Sequence, residues 1–363
     1  MAAGLASLGA AALDAQGAKP VQVGIIGLGN RSRSHLGALK PSPDGRIVAL
    51  CDLDSTRIEN VNRGLASKAE AYTDYRELIK DKNVGAVVIV TPGYLHHEMA
   101  IAALRAGKDV LMEKPMATNY ADALDLIREA KRSGRIVAVG MQKLYARPET
   151  QMRRVVESGQ IGVLRFINYQ EYRGDWFQGT WKYTDPAGGR KTSWRLLNKT
   201  AGSSELEFSI HAFATIASLV KSPLARLSAS GGVVHYKDRE TRDLSSFIAD
   251  FENGSRLNYS FSCFAPYGTI SACLALGDKG LLKNENGQLM FASGSGRPAP
   301  LKIDADISTD SAETQMYREF FQNVRDRKPS PLRPEIALEP AKIAYAAEMS
   351  IAERRIVTAR DFA

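Results

Sequence analysis

A short glycine-containing run near the start of the chain has the residue types needed to hold a dinucleotide. The run is Gly27-Leu28-Gly29-Asn30-Arg31-Ser32, and it follows an apolar segment at 21–26 and opens an amphipathic one. Gly27 permits a tight turn, and Gly29 lets the backbone approach a pyrophosphate held by helix N-terminal amides. Ser32 replaces the usual third Gly or Ala but is small enough for close helix packing. The five residues predicted to bind the cofactor here are Gly27, Leu28, Gly29, Asn30 and Arg31.

An aspartate at the end of the second apolar run predicts which dinucleotide binds. The Asp52 carboxylate can accept hydrogen bonds from the adenosine ribose hydroxyls, and it would repel a 2'-phosphate. NAD is therefore favoured over NADP, unless Arg57 or Arg31 reaches across. The alternative is that the glycines form a generic turn and that Asp52 and Asp54 only cap a helix.

These residues need a parallel sheet to position them, and the first part of the chain has the alternating strand and helix segments of such a sheet. Short β-branched runs alternate with segments whose apolar residues recur at three- and four-residue spacing, which is typical of βαβ units. The predicted strands are 21–26, 47–51, 86–90, 110–112 and 136–139, and the predicted helices are 55–66, 75–79, 97–106 and 121–130. The fold class is α/β, beginning with a doubly wound parallel sheet.

The pattern of predicted strands and helices changes after Gly140. A helix at 149–158 and a strand at 164–172 precede an aromatic stretch, a helix at 208–219 and period-two strands at 247–251, 256–261 and 270–276. We predict an α+β domain with an open, mostly antiparallel sheet, closed by helices at 312–325 and 338–353. The predicted organisation is a terminal segment 1–19, a dinucleotide-binding domain 20–141 and a second domain 142–363 for substrate binding and oligomerisation.

Composition limits the class of protein. With 363 residues, 44% hydrophobic and 24% charged, the chain suits two globular domains. Its formal charge of +8 comes from Lys and Arg concentrated at predicted helix ends, where cations complement the helix dipole, so no nucleic-acid partner is expected. The three cysteines are scattered and have no zinc-ligand spacing, and His96 and His97 have no third ligand; no metal is predicted.

The first 19 residues are small and apolar, with no charge before Asp14. They resemble the apolar region of an export signal without its basic start, and they are equally consistent with a loosely ordered terminus. The expected location is periplasmic or exported in the first case and cytoplasmic in the second. No stretch approaches the length needed to span a bilayer.

Three further motifs resemble one known family. They are Thr91-Pro92-Gly93-Tyr94-Leu95-His96, Glu113-Lys114-Pro115 and Glu157-Ser158-Gly159-Gln160-Ile161-Gly162. This pattern resembles the glucose-fructose oxidoreductase and inositol dehydrogenase family over nearly all of 21–357. The resemblance implies an NAD-dependent oxidoreductase with a Rossmann domain, and a homodimer or homotetramer.

Lys114 is the first catalytic candidate. It follows a strand end and precedes a proline, which favours extended backbone and lets the amine project from the carboxyl edge of the sheet, where ligands bind. A surface ion pair with Glu113 is the alternative. The resemblance implies that Lys114 binds the reacting hydroxyl and shares in proton transfer, and that its Lys-Pro bond is often cis. It places the following residues near the cofactor: Thr91, Pro92, His96, Glu113, Lys114 and Gln142.

The second catalytic candidate is expected in the other domain. Glu207 and His211 lie four residues apart, on one face of a predicted helix. By resemblance, His211 takes the proton from the substrate hydroxyl and Glu207 orients its imidazole. Two departures are present, since the family usually has Asp at position 207 and often has Asp where Ala214 stands here. A His on an apolar helix can also be a packed core residue.

All three tryptophans, Trp176, Trp181 and Trp194, lie in one stretch. Aromatic faces stack on sugar rings, so Trp176, Trp194 and the neighbouring Arg195 are candidates for binding substrate beside Lys114 and His211. They could equally cover a domain or subunit interface.

The function predicted from these residues is hydride transfer between NAD and a secondary hydroxyl of a sugar, polyol or glycoside. The alternative is an NAD-dependent glycoside hydrolase that oxidises, eliminates, hydrates and reduces, with no net redox change. A non-catalytic dinucleotide sensor is the third hypothesis.

Overall fold

The computed structural model describes residues 19–174, 183–184, 191–266 and 268–362. Trp176, Trp181 and all of the predicted terminal segment except Lys19 therefore lie outside the described residues. The chain divides into two compact units, one comprising Met1–Tyr145 with Thr309–Leu338 and the other Ala146–Ser308 with Glu339–Ala363. The predicted break at 141/142 lies close to the first transition, but residues 309–338 group with the first unit and not with the second.

The strands are given in chain order. They are β1 (Val21–Ile26), β2 (Gly45–Cys51), β3 (Glu70–Tyr72), β4 (Ala86–Ile89), β5 (Asp109–Met112), β6 (Val137–Val139), β7 (Leu164–Tyr172), β8 (Tyr183–Thr184), β9 (Lys191–Thr192), β10 (Leu224–Gly232), β11 (Leu244–Phe251), β12 (Arg256–Ser262), β13 (Ile270–Gly277), β14 (Gly280–Glu285), β15 (Gln288–Ser293), β16 (Ala299–Pro300) and β17 (Val357–Thr358).

The helices follow the same order. They are α1 (Ser32–Leu39), α2 (Ser55–Asn62), α3 (Tyr75–Lys80), α4 (His96–Arg105), α5 (Tyr120–Ser133), α6 (Arg147–Glu157), α7 (Asn198–Ala201), α8 (Ile210–Val220), α9 (Ala312–Asp326) and α10 (Pro334–Glu353). A π-helical turn, Glu205–Ser209, leads directly into α8.

The first unit contains a six-stranded parallel sheet in the order β3-β2-β1-β4-β5-β6. This is the predicted doubly wound sheet, and the order reverses between β1 and β4. Ligands bind such sheets at the carboxyl ends of the strands beside this switch point. The short strand β3 was not predicted, since its sequence Glu-Ala-Tyr has no apolar run and two of its three residues are exposed.

Local sequence explains where the surrounding helices begin and end. The side chains of Asp54, Asp74 and Asn119 cap α2, α3 and α5 by accepting a backbone N–H of the first turn. Gly134 ends α5 with φ 62°, in the left-handed region.

Helix α9 belongs to the first unit because of its apolar face. Its buried residues include Met316, Tyr317, Phe320 and Phe321. The Phe321 ring lies where a Cβ on Gly45 would be, so glycine at the start of β2 makes room for the helix. The prediction of α9 from its periodicity is confirmed, but its place in the first unit follows from this packing.

The second unit contains a nine-stranded sheet in the order β16-β15-β14-β13-β7-β12-β11-β10-β17. All its pairs are antiparallel except β7–β12, so the prediction of a mostly antiparallel sheet is confirmed. Part of its core is an aromatic cluster in which Phe213 of α8 meets Tyr259 edge-on at 5.0 Å and Phe247 stacks on Tyr259 at 4.8 Å. This cluster holds α8 against one face of the sheet.

Candidate functional site

The glycine turn lies at the carboxyl end of β1, beside the switch point. Gly27 has φ +93°, and a Cβ at this position would lie 2.7 Å from the carbonyl oxygen of Val90. Any other residue there would be strained and would collide with backbone. Next along the turn, the buried Ser32 hydroxyl donates to the carbonyl of Gly29 at 2.6 Å, so the serine closes the turn. Gly27 thus makes the tight turn predicted for it, and the predicted approach of Gly29 to a pyrophosphate stays a prediction.

Asp52 is held against this turn by backbone donors. Its Oδ2 accepts the N–H of Leu28 at 2.7 Å, and its Oδ1 accepts the N–H of Asp54 at 3.0 Å. Arg57 lies beside it, with Nη1 3.7 Å from Oδ2. A carboxylate has about four acceptor positions, so Asp52 keeps capacity for ligand hydroxyls. Of the two arginines considered, Arg57 approaches Asp52, whereas Arg31 binds elsewhere.

Glu113 follows β5 and is only 4% exposed. It accepts hydrogen bonds from Arg31 Nε at 2.6 Å, from His35 Nε2 at 2.8 Å and from the backbone N–H of Lys114 at 3.1 Å. Burial alone would raise the pKa of Glu113. The hydrogen bond from His35 and the charges of Arg31 and Lys114 outweigh it and hold the pKa well below the usual range. Glu113 is therefore a buried carboxylate ion.

Three residues that were not predicted complete this cluster. The fully buried His35 lies in α1 one turn after Arg31, and its Nδ1 is 2.6 Å from the Tyr317 hydroxyl. Arg31 Nη1 also donates to Glu313 Oε1 at 3.0 Å. Two signals could have found them. Arg31, which caps α1, is four residues before His35 in that helix, and Glu313 and Tyr317 are four residues apart in α9. Nothing in the local sequence brings those two helices together.

Lys114 lies at the carboxyl end of β5, at the same sheet edge as the glycine turn. Its peptide bond to Pro115 is cis. The Pro115 ring lies 3.2 Å from the position of a Cβ on Gly93, so the loop after β5 packs against the loop after β4.

His96 joins these same two loops. Its ring is 1% exposed, with Nδ1 2.7 Å from the carbonyl oxygen of Pro115 and Nε2 2.8 Å from that of Thr91. The predicted contact of His96 with the cofactor would thus compete with two backbone partners. Thr91 and Pro92 precede the 3-10 turn Gly93–Leu95 and lie in this loop. Their predicted role near the cofactor stays a prediction.

Gln142 begins the 3-10 turn Gln142–Tyr145 after β6. With its amide nitrogen turned toward the carbonyl of Gly140, its oxygen accepts from Arg31 Nη2 at 2.7 Å. Arg31 therefore meets Glu113, Glu313 and Gln142. Asn30 is exposed in the glycine turn, and its carbonyl accepts the N–H of Arg33 at 3.2 Å.

In the second unit, Glu207 pairs with an arginine. Arg195 Nε donates to Glu207 Oε1 at 2.7 Å, and its guanidinium lies 4.3 Å from the centre of the Trp194 ring. Trp194 is 7% exposed, so one face of the predicted stacking platform already carries Arg195. Arg195 is thus one partner of Glu207, and the predicted pairing of Glu207 with His211 stays a prediction.

His211 is in the first turn of α8, directly after the π-helical turn. It is half-buried, while its neighbours Ile210 and Ala212 are fully buried. The helix therefore turns its apolar residues inward and leaves the imidazole at the boundary of the packed face. The roles predicted for His211 and Glu207 stay predictions.

Two absences apply to the described ranges. Within 19–174, 183–184, 191–266 and 268–362, no group of three or more His, Cys, Asp or Glu side chains is placed to hold a metal ion. Across the same ranges, no helix combines the length and the apolar character that crossing a membrane requires.

A doubly wound sheet with a glycine turn and a strand-end aspartate beside its switch point defines a dinucleotide-binding protein. Residues 21–141 match the family model described as "Oxidoreductase family, NAD-binding Rossmann fold", and residues 150–283 match the GFO/IDH/MocA C-terminal domain. The chain belongs to the GFO/IDH/MocA oxidoreductase family, as its motifs predicted.

Relatives show how far the likeness extends. The inositol 2-dehydrogenase of Salmonella paratyphi B is 33% identical over 154 residues, which is 42% of this chain and 46% of that protein. A myo-inositol 2-dehydrogenase of Thermotoga maritima is 27% identical over 350 residues, covering 93% of this chain and 98% of its own length. The solved WlbA dehydrogenase of Bordetella pertussis, in complex with NADH and UDP-GlcNAcA, is 18% identical with a TM-score of 0.79 and coverage of 93% and 98%. This last likeness shows the fold.

Proposed function

We propose that this oxidoreductase is a dehydrogenase that uses NAD to oxidise a secondary hydroxyl of a sugar, polyol or glycoside. The observation that carries the proposal is the placement of Lys114 at the carboxyl end of β5, on the sheet edge that also carries the Gly27 turn and Asp52. The named dehydrogenase activities of the inositol-specific relatives support this substrate class.

The residues at the switch point fit a dinucleotide. Gly27 leaves the space that a Cβ would fill, and α1 begins at the end of its turn, so backbone amides there can receive a pyrophosphate. Asp52 has acceptor capacity for ribose hydroxyls, and its charge disfavours a 2'-phosphate. Arg57 beside it is partly neutralised by Asp52 and Asp54. We therefore propose NAD over NADP.

In this proposal the side chains divide the work of proton transfer. NAD, when bound, supplies the hydride acceptor. The Lys114 ammonium donates a hydrogen bond to the reacting hydroxyl oxygen and stabilises the negative charge that develops on it. The His211 imidazole accepts the hydroxyl proton, and the acidic Glu207 with Arg195 sets the polarity of its helix start. The ionised Glu113 accepts the backbone N–H of Lys114 and so helps to hold the Lys114 loop.

A substrate screen tests the proposal. The purified chain is incubated with NAD and a panel of inositols, free sugars and aryl glycosides, while NADH and freed aglycone are followed by absorbance. We expect NADH to appear with at least one carbohydrate. Aglycone release without NADH would instead identify the redox-neutral glycosidase, and NAD binding with neither signal would identify a sensor.

Two lysine variants test the mechanism. Lys114→Ala should lower kcat by about 10²- to 10⁴-fold, the usual contribution of a proton-transfer group, and change the Kd for NAD only a few-fold. Lys131→Ala removes an amine from α5 that is 67% exposed, and should leave both values unchanged. Full activity of Lys114→Ala would contradict the proposed role.

A further inference from the structure

His35 connects the dinucleotide half of the site to a helix that comes from much later in the chain. It is fully buried, and its two ring nitrogens face Glu113 of the loop after β5 and Tyr317 of α9. A buried imidazole between a carboxylate and a phenol can form hydrogen bonds with both in only a few arrangements of the protons.

The hydrogen-bond partners of His35 determine which of its ring nitrogens donates to Glu113. Since the Glu113 ion can only accept, His35 Nε2 carries the proton of the 2.8 Å bond. Burial and the charge of Glu113 raise the pKa of Tyr317 well above its ordinary value, so the phenol keeps its proton. The Tyr317 hydroxyl and His35 Nδ1 lie 2.6 Å apart and form the second hydrogen bond of the ring.

The Glu113 carboxylate also contacts the backbone of the loop that carries Lys114. Its Oε2 accepts the backbone N–H of Lys114 at 3.1 Å, and Arg31 of the glycine turn holds Oε1 from another side. The titratable groups facing Glu113 are thus His35, Arg31 and Lys114, with Glu313 behind Arg31.

We propose that Tyr317 and His35 are positioning residues, whose relay of hydrogen bonds fixes the Glu113 carboxylate and through it the backbone that presents the Lys114 amine. The functional consequence rests on the proposed role of Lys114, whereas the relay itself does not. Helix α9 supplies the hydroxyl that engages the second ring nitrogen of His35.

Tyr317→Phe is the decisive variant. Without the hydroxyl, His35 Nδ1 loses its hydrogen-bond partner, so the imidazole and the Glu113 carboxylate that it contacts are held less firmly. We expect kcat at neutral pH to fall about tenfold, as is usual on loss of an outer-shell partner, with KM within about twofold.

Two kinds of control separate positioning from folding. His35→Gln keeps an amide donor toward Glu113 and should retain more of kcat than His35→Leu, which has none. Tyr75→Phe removes a hydroxyl that donates to Glu98 at 2.6 Å elsewhere in the first unit, and it should behave as the unmodified chain does.

Nitrogen-15 NMR of labelled histidines tests the relay without turnover. The chain has five histidines, and His35→Gln identifies the His35 signals. We expect the His35 Nδ1 signal to move in Tyr317→Phe, because that nitrogen loses its hydrogen bond. If no carbohydrate is oxidised, the proposed function fails and this spectrum still decides the relay. Identical His35 spectra, or equal kcat values for the unmodified chain and a folded Tyr317→Phe, would overturn the inference.

Discussion

Glu319 on α9 carries a negative charge at a stability cost that should disappear in acid. Burial raises the pKa of its carboxyl from 4.5 to about 7, although a hydrogen bond from Tyr145 lowers it in part. Its Oε1 is buried, and no donor reaches it among the residues that the structure describes. Glu319→Gln replaces the carboxyl with a neutral group of the same shape, which resembles the protonated acid.

The size and sign of the effect follow from linkage. A shift from 4.5 to about 7 corresponds to about 3 kcal/mol, since one pKa unit is worth about 1.4 kcal/mol, and the partial exposure of the side chain reduces this to about 2 kcal/mol. A group with a raised folded-state pKa stabilises the fold fully below the unfolded value and loses that contribution as pH rises through the folded value. The unmodified chain should therefore lose stability between about pH 4.5 and 7, relative to Glu319→Gln.

Urea unfolding of both chains at pH 5 and pH 8.5, followed by far-UV circular dichroism, measures the difference. We expect Glu319→Gln to be more stable by about 2 kcal/mol at pH 8.5 and by less than about 0.5 kcal/mol at pH 5. Hydrogen exchange of α9 peptides localises the gain. Glu59→Gln, at an exposed position of α2, is the matched control and should change little at either pH. An equal difference at both pH values, or a loss at pH 8.5, would refute the reasoning.

Two further predictions concern the cofactor turn. Gly27→Ala should weaken NAD binding at least about tenfold and lower the free energy of unfolding by about 2 kcal/mol, since its Cβ would meet the backbone of Val90 at positive φ. The control Gly37→Ala, in an open part of α1, should raise the free energy of unfolding by about 0.5–1 kcal/mol and leave NAD binding unchanged. Thermal unfolding with and without NAD measures both variants. Asp52→Ser should move the ratio of NAD to NADP affinity toward NADP by about tenfold, because it removes a repulsive charge beside Arg57, and an unchanged ratio by calorimetry would contradict the assigned preference.

Local sequence was enough to predict the first sheet and its turn. The strand β1, the turn at Gly27 and the aspartate at the end of β2 are all specified by short-range properties: apolar periodicity, the backbone freedom of glycine and strand-end polarity. The motif around Lys114 likewise identified the family. These features depend on residues that are near one another along the chain, so they can be recognised without a fold.

The second unit contains a contact that local sequence could not predict. The spacing of Glu207 and His211 predicts a pair on one helix, and that pair stays a prediction. The structure adds a contact that spacing did not indicate, between Glu207 and the guanidinium of Arg195, twelve positions earlier in the chain. A carboxylate with low exposure takes the strongest donor within reach, and the route of the intervening chain decides which donor that is. Spacing within one helix contains no information about that route.

The sequence by itself determined a dinucleotide-binding parallel sheet, its glycine turn, its acidic strand end and a lysine at the sheet edge. Only the tertiary structure decided that α9 returns to this sheet and that Tyr317 and His35 hold Glu113, 204 positions from Tyr317 in the numbering (317 − 113). The physical reason is that a turn or a strand minimises its energy locally. A buried carboxylate is satisfied only by donors that folding brings to it.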